Sequence, residues 1–121
     1  MKQKHWKILP IIALTILASA SFARHDDQTS PRVIEIKAKR FAFEPSELTL
    51  KKGEPVVLRL STEDVTHGLY LKPLKIDADI EPGKVSEVKI TPDQVGKFVA
   101  ICDHFCGAGH GNMHMVVNVV E

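Results

Sequence analysis

The sequence predicts an all-β domain, a β-sandwich of Greek-key type with antiparallel strands. Short segments that alternate apolar and polar residues recur at roughly ten-residue spacing, and turn-forming residues separate them. Beyond residue 23, no stretch sustains the period of an amphipathic helix. With 121 residues, of which 44% are hydrophobic, the chain has room for one domain of ordinary globular composition.

The first strand is expected to begin near Val33, because residues 33–38 alternate apolar and polar side chains as a half-buried strand does. The next such segment, residues 47–50, ends at a predicted turn over residues 51–54. Pro82-Gly83 and Pro92-Asp93 are expected to form later turns. The remaining strands are predicted at residues 55–61, 68–71, 85–91, 97–101 and 115–120.

The first 23 residues have the pattern of a secretory signal peptide. Three lysines precede an apolar run at residues 8–17, and small residues at 19–23 suit cleavage near Ala23. We therefore predict export to the periplasm, a flexible tail at residues 24–32 and a folded domain at residues 33–121. The alternative is an uncleaved membrane anchor. Because the apolar run is shorter than the roughly 20 residues that span a bilayer, stable membrane insertion is not expected.

Removing the predicted signal peptide leaves a nearly neutral chain. Three of the 16 Lys and Arg residues, and none of the 15 Asp and Glu residues, lie in residues 1–23, which leaves 13 basic and 15 acidic residues. Nucleic acid is therefore not an expected partner, because the chain has no excess of positive charge to bind phosphates.

Residues 102–113 gather side chains that suit copper. Cys102, Cys106, His110 and Met113 place two thiols, an imidazole and a thioether in this short segment. Soft sulfur ligands favour Cu(I), imidazole suits copper, and a weak axial thioether is typical of electron-transfer copper. One thiolate is enough for a single-copper site. The second cysteine therefore favours two copper ions bridged by two thiolates.

A sandwich fold can add a ligand from a distant part of the sequence, because loops at one end of the sheets converge. His67 stands at the start of a predicted strand. A lone histidine at such a position is more often a surface or packed residue. Since the cluster of Cys102, Cys106, His110 and Met113 offers two metals only one imidazole, we predict that His67 is a ligand.

Two simpler interpretations compete with the copper pair. A disulfide is the default for two cysteines in an exported protein, but so small a loop constrains the unfolded chain little. It remains an expected state of the metal-free protein in an oxidising compartment. A zinc site would use two cysteines and two histidines, yet zinc has no use for the Met113 thioether.

The residues that follow Met113 are not expected to be ligands. Because neighbours in a strand alternate faces, we expect His114 to be solvated and Met115 to be in the core.

The order and spacing of these residues resemble one family closely. The matching positions are Asp64-Val65-x-His67-Gly68, Ile76, Pro82-Gly83, Gly96-x-Phe98 and Cys102-x3-Cys106-Gly107-x2-His110-x2-Met113. Over residues 33–120 the chain resembles the cupredoxin domain of cytochrome c oxidase subunit II and the similar C-terminal domain of nitrous oxide reductase. This resemblance implies a cupredoxin-like sandwich that holds a binuclear copper A centre.

The resemblance also implies a role for each ligand. Cys102 and Cys106 correspond to the bridging thiolates, and His67 and His110 correspond to one imidazole for each copper ion. Met113 corresponds to the weak axial thioether on the copper held by His67.

The remaining axial donor, to the copper held by His110, corresponds to the main-chain carbonyl of His104. The family often has glutamate at this position. Because a carbonyl is the donor, histidine is compatible with the site, and the His104 ring is an alternative ligand.

We predict a periplasmic electron-transfer protein, either a one-electron carrier or a module that admits electrons to a respiratory chain. A rigid bridged pair leaves no open position for a substrate, so the centre is not expected to perform bond chemistry itself. Expected partners are a redox donor and acceptor, such as a c-type cytochrome, and copper-delivery and thiol-reducing proteins for assembly. The alternative is a periplasmic chaperone or resistance protein that binds Cu(I).

We also expect a free-standing domain in place of an oxidase subunit. Subunit II of the family is anchored by hydrophobic helices and receives electrons through a tryptophan-bearing patch. In this chain, the apolar run at residues 8–17 is short, and the single tryptophan, Trp6, lies in the predicted signal peptide.

Overall fold

The computed structural model describes residues 30–121, in which nine β-strands and two short 3-10 helices are defined. The strands are β1 (Arg32–Lys39), β2 (Ala42–Glu44), β3 (Glu47–Lys51), β4 (Val56–Thr62), β5 (His67–Leu71), β6 (Ile76–Ile80), β7 (Ser86–Ile90), β8 (Gly96–Ile101) and β9 (His114–Val120). The 3-10 helices are Lys72–Leu74 and His110–Asn112.

Within residues 30–121, no helix has the length and apolar character needed to cross a membrane. The predicted signal peptide, residues 1–23, lies outside the described residues, as does most of the predicted tail.

The strands form two sheets that sandwich a common core. The four-stranded sheet has the order β2-β1-β4-β7, and the five-stranded sheet has the order β3-β9-β8-β5-β6. The predicted all-β sandwich is confirmed. The expectation of purely antiparallel pairing is wrong for two pairs, because β1 runs parallel to β4 and β3 runs parallel to β9. Neither pair is consecutive in the chain, so the alternation within each strand gave no information about its direction relative to its neighbour.

All seven predicted strands are present, and no end is displaced by more than one residue. The strands β2 and β6 were not predicted. With three residues, β2 is too short to show an alternation. The sequence of β6, Ile-Asp-Ala-Asp-Ile, does alternate apolar and polar residues. Its two aspartates are uncommon in strands, so the segment was not recognised as one.

Two of the predicted turns are confirmed, after β3 and at Pro82-Gly83. Gly53 and Gly83 have φ angles of 79° and 75°, which glycine adopts without steric cost. The third predicted turn is absent, because Pro92 and Asp93 lie in an irregular connection between β7 and β8.

The core continues directly into the segment that carries the cysteines. Inward-facing residues of both sheets form one buried cluster, and Cys102, Cys106 and Met113 belong to it. Burial of each large apolar side chain contributes roughly 1.5–3 kcal/mol. The sulfur-bearing residues are therefore held by the same packing that holds the sandwich together.

Candidate metal centre

All candidate ligands except His67 lie in a loop, residues 102–113, that connects β8 to β9, as the sequence predicted. The Cys102 N–H donates to the Met113 carbonyl (3.1 Å), which joins the two ends of the loop. A second hydrogen bond, from Met113 N–H to the His110 carbonyl (3.1 Å), closes the 3-10 helix inside it. These bonds hold both ends of the segment together at one end of the five-stranded sheet.

Three sulfur atoms converge in the interior of this loop. The Sγ atoms of Cys102 and Cys106 are 3.8 Å apart, and Cys106 Sγ is also 3.8 Å from Met113 Sδ. Cys102, Cys106 and Met113 are 3%, 4% and 2% exposed, and both cysteines are free thiols. Burial, reinforced by the neighbouring Cys102 thiol, raises the pKa of Cys106 to about 11. A metal ion that binds here must therefore displace thiol protons.

His67 lies at one end of the sulfur cluster, at the first position of β5, and is completely buried. Its Nε2–H donates to Asp64 Oδ1 (2.7 Å), and its Nδ1 lies 3.9 Å from Cys102 Sγ. Because a carboxylate can only accept, Nε2 carries a proton, and in the neutral ring the Nδ1 lone pair then faces the sulfur. The ligand atoms of His67, Cys102 and Cys106 all lie within 4.8 Å of one another.

Asp64 anchors the His67 ring to the surrounding backbone. Its carboxylate accepts hydrogen bonds from the N–H groups of Arg40 and Val65, both at 2.7 Å, and is 3.2 Å from the Thr62 hydroxyl. Desolvation opposes ionisation of Asp64, but the hydrogen bonds from Arg40, His67 and Val65 outweigh it and hold its pKa well below the usual range. The carboxylate therefore stays ionised and fixes both the tautomer and the orientation of the ring.

His110 lies at the other end of the cluster, in the 3-10 helix. Its Nδ1 is 3.8 Å from Cys106 Sγ, and the ligand atom of His110 is not part of the compact group around His67. The ring is half-buried and packs against Phe105, which is 74% exposed, with ring centroids 5.8 Å apart. Within residues 30–121, no carboxylate accepts a hydrogen bond from this ring.

His104 directs its main chain to the cluster. The Cys102 thiol donates to the His104 carbonyl (3.2 Å), as expected if that oxygen is the axial donor. The side chain is exposed, and its Nδ1 is 3.2 Å from the Phe105 carbonyl. The carbonyl of His104, and not its ring, therefore faces the sulfur atoms.

The expectations for the two residues after Met113 are confirmed. Met115 is buried in the core at 1% exposure, and His114 is exposed.

Sequence reasoning missed the turn between β1 and β2, which contacts the metal loop. The Arg40 Nε–H donates to the Cys106 carbonyl (2.8 Å). The Phe41 ring lies against the loop backbone so closely that a Cβ on Gly109 would be 2.5 Å from the ring. Arg40 is 66 residues from Cys106, and no local pattern connects them. Asp64 could have been found, since a carboxylate three residues before a proposed histidine ligand is placed to hydrogen-bond it.

The donor set as a whole suits copper. Two thiols, two imidazole nitrogens, a thioether and a carbonyl combine soft sulfur with nitrogen, whereas Mg²⁺ and Ca²⁺ prefer oxygen ligands. A single zinc ion would use four of these donors and leave the thioether unused.

Comparison with known proteins defines the class of this chain. The sequence profile of the cupredoxin-like domain family matches residues 7–117, and the chain belongs to that family. Cytochrome c oxidase subunit 2 of Thermus thermophilus is 31% identical over 96 residues, which cover 78% of this chain and 71% of the relative. Nitrous-oxide reductase of Cupriavidus necator is 33% identical over 84 residues, 66% of this chain but only 13% of that enzyme. Within the family, the chain belongs with the copper domains of subunit II, and His67, Cys102 and Cys106 form a copper A-like site.

A solved structure supports the same fold. The periplasmic domain of subunit II of the cytochrome oxidase of Bradyrhizobium japonicum superimposes with a TM-score of 0.68 at 18% identity, covering 74% of this chain and 84% of that domain. The predicted cupredoxin-like sandwich is therefore confirmed, and the match to subunit 2 of Thermus thermophilus confirms the predicted resemblance to the copper A family.

Proposed function

We propose that this protein is a periplasmic electron-transfer protein that carries a binuclear copper A centre. One observation supports the proposal best: each thiol has its own imidazole neighbour. His67 Nδ1 lies 3.9 Å from Cys102 Sγ, and His110 Nδ1 lies 3.8 Å from Cys106 Sγ. A mononuclear site needs one thiolate, so this paired arrangement favours two metal ions that share both sulfurs.

The residues would hold the metals in complementary ways. Cys102 and Cys106 would bridge the two copper ions, while His67 and His110 would each complete one end. Met113 and the His104 carbonyl would supply the weak axial donors. When bound, the copper pair supplies a one-electron redox change.

The chain contributes rigidity to that redox change. The loop is packed into the sandwich core, and the Asp64 carboxylate holds the His67 ring. The ligand positions can then change little when an electron arrives or leaves. Burial of the sulfur atoms also keeps water away from them.

The proposal is tested by the copper content and visible spectrum of the purified protein after reconstitution. We expect two copper ions per folded chain and a purple, redox-active centre. One copper per chain, or preferential retention of zinc, would contradict the binuclear assignment. His104→Gln retains the main-chain carbonyl and should keep the purple spectrum.

A second candidate function is that of a Cu(I) chaperone or resistance protein. The observation that favours it is the pair of exposed imidazoles, His104 and His114, which lie close to the sulfur ligands in the sequence and would suit transient binding. The same spectrum separates the two functions, because a protein that carries only Cu(I) is colourless.

The proposal also includes the partners and the location. We infer export to the periplasm and exchange of electrons with a c-type cytochrome or a similar redox protein. Copper binding needs both thiols reduced, so thiol-reducing and copper-delivery proteins would act during assembly. Fractionation of the native host tests the free-standing state: we expect the protein in the soluble periplasm, and stable co-purification with a membrane-bound haem-copper oxidase would contradict it.

A further inference from the structure

The buried ligands require a route by which copper reaches them. His67, Cys102, Cys106 and Met113 are all 4% exposed or less. One surface cavity, of about 270 Å³, lies beside this cluster, and Cys106 forms part of its wall. The complete lining consists of Arg40, Val65, Thr66, His104, Phe105, Cys106 and Gly107.

His104 is the one residue of this lining that offers an exposed metal-binding nitrogen. Its Nδ1 is 3.2 Å from the Phe105 carbonyl, and a carbonyl can only accept a hydrogen bond. In the neutral ring this hydrogen bond places the proton on Nδ1 and leaves the Nε2 lone pair free. Neutral imidazole with a free Nε2 is a common copper ligand.

The position of His104 in the loop connects this nitrogen to the thiols. The residue lies between Cys102 and Cys106 in the sequence, and its own carbonyl oxygen is 3.2 Å from Cys102 Sγ. A metal ion held by the ring would thus be bound to the segment that carries both cysteines.

We propose that His104 is a loading ligand, which binds incoming Cu(I) at the cavity and passes it to Cys106 and Cys102. The Cu–N bond to His104 Nε2 breaks as Cu–S bonds form, and the thiol protons leave to solvent. Copper remains Cu(I) throughout this transfer, so no oxidant or reductant is consumed. The inference rests on the proposed copper site, but it concerns the route of loading and leaves the resident ligands unchanged.

The test compares the wild-type protein with His104→Gln and His114→Gln. His114 is a matched control, because it is also exposed, its Nδ1 also bonds a carbonyl (Asn112, 2.8 Å), and it does not line the cavity. Each protein is fully reduced, freed of metal and mixed with Cu(I) held by a coloured chelator. Loss of the chelator colour reports the rate of transfer, and copper analysis after dialysis reports the final content.

We expect His104→Gln to load several-fold more slowly than the wild type, to the same final copper content, and His114→Gln to load at the wild-type rate. Equal rates for His104→Gln and the wild type would overturn the inference. Equal slowing of both variants would also overturn it, as would a lower final copper content in His104→Gln, which would make the ring a resident ligand. If the wild type itself takes up no copper, it is the proposed function that fails.

Discussion

The two ends of the metal cluster are built differently. His67 belongs to β5, is fully buried and is tied through Asp64 to the backbone of Arg40 and Val65. His110 belongs to a short 3-10 helix within the loop, is half-buried and rests on the exposed Phe105 ring.

The sandwich itself therefore builds one half of the site, and the loop builds the other. The His67 end has its tautomer, orientation and burial set before any metal arrives, since strand pairing and an ionised carboxylate fix them. The His110 end relies on a few loop hydrogen bonds and on packing beneath the Phe41 ring. We therefore expect loss of the His67 ring to affect both folding and metal binding, and loss of the His110 ring to affect mainly the metal.

The largest effect should come from the thiols that connect the two ends. Cys102→Ser removes one of the two bridging thiolates. The copper positions at the His67 and His110 ends are then no longer joined by two sulfur atoms and cannot share one electron. We expect complete loss of the purple absorption and no more than one copper per chain. Circular dichroism checks that the variant still folds. A retained purple spectrum with two copper ions would show that Cys102 is not a bridge.

The next comparison removes each histidine from the metal-free protein. His67→Ala leaves a cavity and deprives Asp64 of its ring partner, so we expect a loss of about 2 to 4 kcal/mol in the free energy of unfolding. His110→Ala, at a half-exposed position, should cost less than about 1 kcal/mol. Urea unfolding measures both values. Similar losses in the two variants would contradict the proposed asymmetry.

Asp64→Asn tests the carboxylate that orients His67. The change removes the negative charge behind the ring and places an amide where Arg40 N–H now donates. We expect copper affinity to fall by roughly 10- to 100-fold, as for other partners of metal-bound histidines. Competition with a Cu(I) chelator measures the affinity. Asp77→Asn is the control, since Asp77 is exposed on β6, and an unchanged affinity in Asp64→Asn would exclude the orienting role.

Gly109→Ala tests the contact between Phe41 and the loop. The added Cβ would lie 2.5 Å from the Phe41 ring, so the ring or the loop must move, and we expect a loss of about 1 to 3 kcal/mol. Gly111→Ala is the control, because a Cβ there meets no atom within 4 Å. The urea midpoints of the two metal-free variants give the difference. Equal midpoints would mean that Phe41 moves aside freely.

The smallest effect is expected for Met113→Leu. A weak axial thioether tunes the reduction potential more than it holds the metal, and leucine fills a similar volume in the core. Both copper ions should remain, with a shifted potential measured by voltammetry. Loss of all copper from this variant would contradict a weak axial role.

Local sequence patterns were enough to predict the fold class, seven of the strands and the loop that carries the cluster. These features depend on local patterns: the two-residue alternation of a strand, turn-forming residues, and the spacing of Cys102, Cys106, His110 and Met113 within one short segment. His67 was also predictable, because two metals needed a second imidazole and converging loops could supply it.

The direction of the pairs β1–β4 and β3–β9, and the surroundings of the ligands, depend on tertiary contacts that the sequence patterns did not predict. Arg40 and Phe41 reach the loop from a turn more than sixty residues earlier in the chain. The difference between the His67 and His110 ends also arises there, from burial and from the Asp64 hydrogen bonds. The physical reason is that strand pairing and side-chain packing join residues far apart in sequence, and no periodicity within a single segment records which partners will meet.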